Sequence, residues 1–323
     1  MGNKWLRTAV IGMALCAIGT AAQAQQSPLA GKTIRVVVTF TAGGVNDLTA
    51  RSFTNELGQG LGANVIVENR AGAGGTIATY LVAKAAPDGT TLLFNAAAHN
   101  INGSLYSKLP YDPVKDFAGV ATVGQSSYQL LVSAALPVKN VAELIAYAKA
   151  HPGQLNYASS GIGSAGHLSV AYFVGLAGVD IVHVPMKGMA EAVNEVMAGR
   201  SQMMIFAGGT QYTKEPKMRL LATTAMKRSS FLPDTPTINE SGLPGYEFDT
   251  WYGFMAPAAT PRPIVNRINA EFNKLLKEPV IIERLAKQSL EPLSMTPEQF
   301  DALLRDNYKK MAKVVAISGA KAD

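Results

Sequence analysis

The chain has 323 residues, 48% of them hydrophobic and 16% charged, with one cysteine, four histidines and a formal net charge of +6. Charge below the roughly 25% of an average globular domain, together with abundant aliphatic residues, excludes disorder, and the lack of a basic stripe argues against a nucleic-acid partner. The length suggests about two domains.

Residues 1–24 read as a secretory signal peptide. Lys4 and Arg7 precede an apolar run from Ala9 to Ile18, and Ala22-Gln23-Ala24 is the small-residue pattern that a signal peptidase cuts. The run is too short for a bilayer core of roughly 30 Å, and no other stretch approaches about 20 uninterrupted apolar residues. Cleavage after Ala24 removes two cations and no acid from the formal +6. Cys16 lies inside the signal, and bulky Leu15 stands where a lipoprotein signal needs a small residue, which favours simple cleavage over lipid anchoring. The exported chain then has no thiol, and its stability must come from core size.

Beyond the signal, strand, glycine-rich turn and helix alternate. Ile34–Phe40 is a nearly continuous β-branched run, expected of a strand covered on both faces, and Gly43-Gly44 precedes a helix from about Asn46 to Leu57. Strand Asn64–Glu68, turn Gly72–Gly75, helix Thr76–Ala86 and strand Thr91–Asn95 complete a βαβαβ unit. Such units place their functional loops at the carboxyl edge of a parallel sheet. The pattern restarts at Gln129–Ser133, with a capping signal Asn140-x-x-Glu143, strand Leu155–Ala158, a helix to about Ala177, strand Asp180–Val184, helix Met189–Ala198 and strands Gln202–Phe206 and Met218–Thr223. Asp249–Ala256 reads as extended. Pro261–Lys277 and Pro297–Ile317, the latter opened by Thr296-x-x-Gln299, read as amphipathic helices. Those helices need a sheet to cover, so the chain from Trp251 onward is expected to return to the first unit, leaving a cleft between two lobes joined near 125–133 and 249–256.

Gly161-Ile162-Gly163-Ser164-Ala165-Gly166 has the form of a dinucleotide fingerprint, yet Asp180 begins the next strand where an acidic partner should end it. Its free N–H groups at a helix start suit a carboxylate equally well, and Ser159, Ser160 and Ser164 add hydroxyls. The bland alternative is a tight turn with helix-capping serines. His167 reads either as a polar contact lining the cleft or as a structural histidine; an exported serine hydrolase built on Ser164 or Ser160 with His167 lacks a GxSxG elbow. His99, His151 and His183 are scattered, and no metal site or cofactor is expected. In the turn Thr39–Asp47 the glycines and Thr41 offer donors to a ligand. Asp47 either faces the cleft or complements a helix dipole, and Arg51 and Arg70 read as ion-pair formers.

Nine segments in order, VTFTAGGVND (38–47), VENRAGAGG (67–75), APDGTT (86–91), LPYDPVKDF (109–117), PGQLNYASSGIGS (152–164), VHVPMKG (182–188), LPDTPT (232–237), GLPGY (242–246) and WYGFMAPAATP (251–261), resemble the Bug family of periplasmic receptors of tripartite tricarboxylate transporters. The resemblance implies an α/β, two-lobe type II periplasmic binding protein fold with two crossover segments and an interlobe cleft. It implies lobe 1 at 25–125 and 250–323 and lobe 2 at 126–249. It further implies a non-enzymatic, monomeric receptor for a small mono- or dicarboxylate, serving the membrane components of such a transporter or, alternatively, a sensor kinase. Matched motif by motif, the ligand contacts are Phe40, Thr41, Ala42, Gly43, Asp47 and Ala97 from the first lobe. Those of the second are Ser159, Gly163, Ser164, His167, Phe206 and Ala207, with Asp249 near the hinge. Thr39 and Ala42 stand where the family usually has prolines, and Met186 where it has tyrosine, so the first loop is expected to be more flexible.

Overall fold

The computed structural model describes residues 28–207, 212 and 214–321. The signal-peptide reading of residues 1–24, with Cys16, lies outside them.

The first sheet holds β1 (Thr33–Val38), β2 (Asn64–Asn69), β3 (Thr91–Ala96), β4 (Phe117–Ser127) and β10 (Asp249–Pro257), in the order β2-β1-β3-β10-β4. The second holds β5 (Gln129–Ser133), β6 (Leu155–Ser159), β7 (Ile181–Pro185), β8 (Met203–Phe206) and β9 (Met218–Thr223), in the order β7-β6-β8-β5-β9. The two orders are the same pattern. In each, four strands that run in one direction are completed by one antiparallel strand: β10 against β3 and β4, β5 against β8 and β9.

Side-chain alternation explains why the strand sequences read as continuous apolar runs. Val36, Val38, Leu92, Phe94 and Phe254 face one side of the first sheet, under α1 (Val45–Arg51), α2 (Thr54–Leu61), α8 (Arg262–Leu275) and α9 (Pro279–Ala286). Val37, Leu93, Trp251 and Met255 face the other, with Ala78 and Val82 of α3 (Thr76–Ala83). On the first side Phe53, Phe94, Phe254 and Phe272 form an edge-packed cluster with centroid distances of 4.7 Å for Phe94–Phe254 and 5.4 Å for Phe53–Phe272. Such pairs contribute about 0.5–1.5 kcal/mol each beyond the area they bury.

The single helix expected over 46–57 is two. Ser52 Oγ donates to the Leu48 carbonyl at 2.8 Å, and Phe53 turns into the aromatic cluster, so the axis breaks there. Three further elements are additions to the expected set: α4 (Ala98–Leu105), β4 and α9. The remaining helices of the second unit, α5 (Val141–Ala150), α6 (Ala165–Ala177) and α7 (Met189–Met197), begin within a residue or two of their expected starts. Asn140 caps α5 by accepting from the Glu143 N–H at 2.8 Å. Among the described residues no helix is long and apolar enough to cross a membrane.

The sheets are joined where β4 runs into β5 through Tyr128, and where Phe248 leads back into β10. Tyr128 N–H donates to Thr224 Oγ1 at 2.8 Å, Thr224 N–H to the Tyr128 carbonyl at 3.0 Å, and Phe248 N–H to the Thr224 carbonyl at 3.0 Å. The last helix, α10 (Pro297–Ser318), is opened by a full capping box of Thr296 and Gln299 and is seated on both units. Phe300 and Leu304 pack on the first sheet beside Trp251, whereas Met311, Val314 and Val315 enter the second core with Leu168 and Phe173. Gly175 of α6 permits this approach, since a Cβ there would lie 2.7 Å from Ile317 Cγ2. Met311→Ala is therefore expected to lower stability by about 2–5 kcal/mol in denaturant unfolding, the cost of a cavity in the core of the second unit.

Candidate functional site

A cavity of about 700 Å³ lies between the two units. Phe40, Asn46 and Gly74 line it from the first-sheet loops, and Ala97, Ile101, Asn102, Leu105 and Tyr106 from α4 and its ends. Ile162, Gly163, Ser164 and Ala165 close it from the start of α6, Tyr128, Thr250 and Tyr252 form its hinge wall, and Lys321 reaches it after α10.

Of the residues expected to bind ligand, Phe40, Ala97, Gly163 and Ser164 line this cavity. Thr41, Ala42 and Gly43 are exposed on the loop beside Phe40. Asp47 is buried and turned inward: Oδ2 accepts from the Gly43 N–H at 2.9 Å and Oδ1 from Arg51 Nε at 2.9 Å. Burial opposes its ionisation, but Arg51, the Gly43 amide and Asn69 outweigh burial and hold the carboxyl below its usual range. The loop itself is pinned. Thr39, fully buried, donates from Oγ1 to Asn95 Oδ1 at 3.2 Å and accepts from Asn46 Nδ2 at 3.4 Å, and Asn69 Nδ2 holds the Phe40 carbonyl at 3.0 Å. A threonine in place of proline supplies the hydroxyl that these bonds need, contrary to the expected loosening.

The serine-glycine loop is supported by stacked rings. The parallel pairing of β6 with β7 sets Tyr157 opposite His183, their rings stack at 4.7 Å, and His167 lies on His183 at 4.0 Å with 5° between planes. Ser159 Oγ shares a 2.7 Å hydrogen bond with His183 Nε2, and Gly163 N–H donates to His167 Nδ1 at 3.0 Å. That acceptor role requires an unprotonated Nδ1. Burial lowers the His167 pKa, and burial with the neighbouring His167 pushes His183 down to about 4, so both rings are neutral at neutral pH. Ser164 Oγ accepts the His167 backbone N–H at 3.2 Å as a helix cap, and the imidazole Nδ1 is committed to Gly163, which leaves no Ser164–His167 nucleophilic pair. The third glycine of the fingerprint, Gly166, has a packing role: a Cβ would lie 2.8 Å from the Ile205 carbonyl oxygen.

Phe206 is buried against Leu131, Ala158 and Val193, and Ala207 is exposed outside the cavity lining. Asp249 lines a smaller hinge pocket of about 320 Å³ with Glu247 and Glu291. Strand alternation turns its neighbour Thr250, and Tyr252 two residues on, to the cavity. That period was the available signal for both. Burial and the Glu247 charge raise Asp249 to about 7, against the opposing pull of Lys310. His183, isolated in the sequence, joins the site through the strand register that sets it opposite Tyr157.

Two α/β units of one topology, crossed by two segments and enclosing a cavity, define a two-lobe solute receptor. The chain belongs to the tripartite tricarboxylate transporter receptor family, whose model matches residues 49–319. That family comprises periplasmic solute-binding receptors, not enzymes. BugT of Bordetella pertussis is 32% identical over 317 residues, covering 97% of this chain and 97% of that protein. Rpa4515 of R. palustris, solved with adipate, is 33% identical with a TM-score of 0.75 over 90% of this chain and 98% of that one. MatC of Rhodopseudomonas palustris, solved with bound malate, is 33% identical with a TM-score of 0.71 over 88% of this chain and 99% of its own.

His183 and Asp249 act oppositely on stability. His183 binds its proton more weakly folded than unfolded, so stability complete above about 6.5 declines as pH falls toward about 4. His183→Gln is expected to flatten that decline in urea unfolding at pH 7, 5.5 and 4. Asp249 binds its proton more tightly folded, so its contribution is complete below about 3.8 and is lost as pH rises through about 7. Asp249→Asn is expected to raise stability relative to the parent at pH 8 and to lose that advantage at pH 4.

Proposed function

We propose that this receptor captures a small organic carboxylate in the interlobe cavity and presents the closed form to membrane components of a tripartite tricarboxylate transporter. The observation that carries the reading is the cavity itself, about 700 Å³ and lined from both units, in a family whose members have been solved with adipate and malate. Ligand contacts made by both lobes favour the closed population, and no covalent chemistry is required. The lobes are residues 25–125 with 250–323 and residues 126–249, the second half of α10 being shared. The chain works as a monomer in the periplasm after cleavage behind Ala24.

In this reading Phe40, Ala97, Gly163, Ser164, Thr250 and Tyr252 meet the ligand, and Thr41, Ala42 and Gly43 flank its entry. Asp47 and His167 act through the glycine amides they hold. Ser159, Phe206 and Asp249 support the surrounding structure, and Ala207 lies outside the lining. Calorimetric titration with adipate and with malate, followed by mass analysis, tests the function: saturable binding with unchanged ligand is expected, whereas consumed ligand or no binding overturns it.

Gly163 tests the site. Its φ of +76° disfavours any side chain, and a Cβ would lie 2.8 Å from Leu105 Cδ2, which also lines the cavity. Gly163→Ala is expected to cost about 1–2 kcal/mol of stability through backbone strain and to weaken ligand binding by keeping the walls apart. Gly178→Ala is the control, with φ +61° and nothing within 4 Å of the added carbon. It should show the strain without the loss of affinity.

A further inference from the structure

We infer that Lys321 is a ligand-binding residue, its ammonium serving as the charge partner of one carboxylate on the bound anion; this rests on the carboxylate-receptor reading above. Among the described residues lining the cavity it is the one carrying a formal charge, and it forms no ion pair with any described residue. Its position is built. Gly319 ends α10 in the left-handed conformation at φ +65°, Ser318 Oγ donates to the Val315 carbonyl at 2.8 Å, and Ala320 N–H donates to Ser318 Oγ at 3.1 Å. Ala320 is then buried in the second core, which directs the next residue to the cavity. The turn is the αL-type helix termination that glycine permits.

The loops offer less positive potential than their glycines suggest. The Gly43 N–H is taken by the Asp47 carboxylate and the Gly163 N–H by the His167 imidazole, at 2.9 and 3.0 Å. A carboxylate entering the cavity thus finds those two amides already bonded, while Lys321 has no ion-pair partner among the described residues. The rest of the lining is uncharged, with apolar or aromatic Phe40, Ile101, Leu105, Tyr106 and Tyr252 beside Asn46, Asn102, Ser164 and Thr250. One cation in an otherwise uncharged lining selects an anion with a single carboxylate at the α10 end, because a second carboxylate there would be desolvated without a cationic partner.

The test measures calorimetric affinity for hexanoate, adipate and neutral hexanamide with the parent, Lys321→Met and Lys321→Arg, each checked for unchanged circular dichroism. Parent binding of hexanoate at least as tight as adipate is expected, with about tenfold or greater loss in Lys321→Met. Lys321→Arg should retain most of the affinity, and hexanamide should bind the parent and the methionine variant alike. Carboxylate binding that is equal in the parent and Lys321→Met overturns the role of Lys321 while leaving the carboxylate reading intact. Tighter binding of adipate than of hexanoate overturns the single-charge selection. Failure of both anions and of malate to bind the parent overturns the carboxylate reading itself, and this inference with it.

Discussion

Each sheet depends on a strand that reaches it by crossing the hinge. β10 enters the first sheet between β3 and β4, and β5 enters the second between β8 and β9, each antiparallel to its neighbours. Neither sheet is continuous without its visitor. Backbone hydrogen bonding of two buried interiors is therefore conditional on the two crossings, and an unpaired strand edge in either core would leave buried N–H and C=O groups unsatisfied. The same crossings bring Tyr128, Thr250 and Tyr252 to one wall and oppose the loop-bearing edges of the two sheets across it. The cavity is a by-product of how the sheets are completed.

Within that frame the site is electrically quiet. Asp47 spends its charge on Arg51 and the Gly43 amide, and the two stacked histidines stay neutral because burial makes a second proton expensive. The neutral His167 ring accepts from the Gly163 N–H, which an imidazolium would repel. The serine-glycine loop is consequently held by rigid stacking, with Tyr157, His183 and His167 forming a column beneath it. Preorganisation of this kind lowers the ordering cost of ligand capture.

Much of this was legible in the sequence. A nearly continuous β-branched run identified β1, and the Asn140 and Thr296 caps marked two helix starts. The elements that escaped share a physical reason. β4 carries Gly119 and Gly124 and, being buried along most of its length, shows no alternation. α4 spells AHNINGSL, whose asparagines, glycine and serine are weak helix formers, and it is fixed by tertiary bonds such as Asn100 Nδ2 to the Leu304 carbonyl at 2.8 Å. The site was half legible for a related cause. Loop residues such as Phe40, Gly163 and Ser164 announce themselves through glycine spacing, whereas Leu105, Tyr128 and Lys321 are brought in by elements far apart in the chain. The β10 residue singled out, Asp249, was one step out of phase with the cavity face.

The seating of α10 on both units has a consequence for folding order. Residues 297–318 complete the first core with Phe300 and Leu304 and the second with Met311, Val314 and Val315. A nascent or translocating chain therefore reaches residue 257 before the first sheet has the strand that joins β3 to β4, and reaches the last helix before either core is sealed. Long-range contacts of this kind slow folding, because loop closure precedes the reward of burial. The two units consequently mature together, late, as one cooperative event, and the intermediate that waits for α10 exposes apolar surface on both, which is the form a chaperone would recognise.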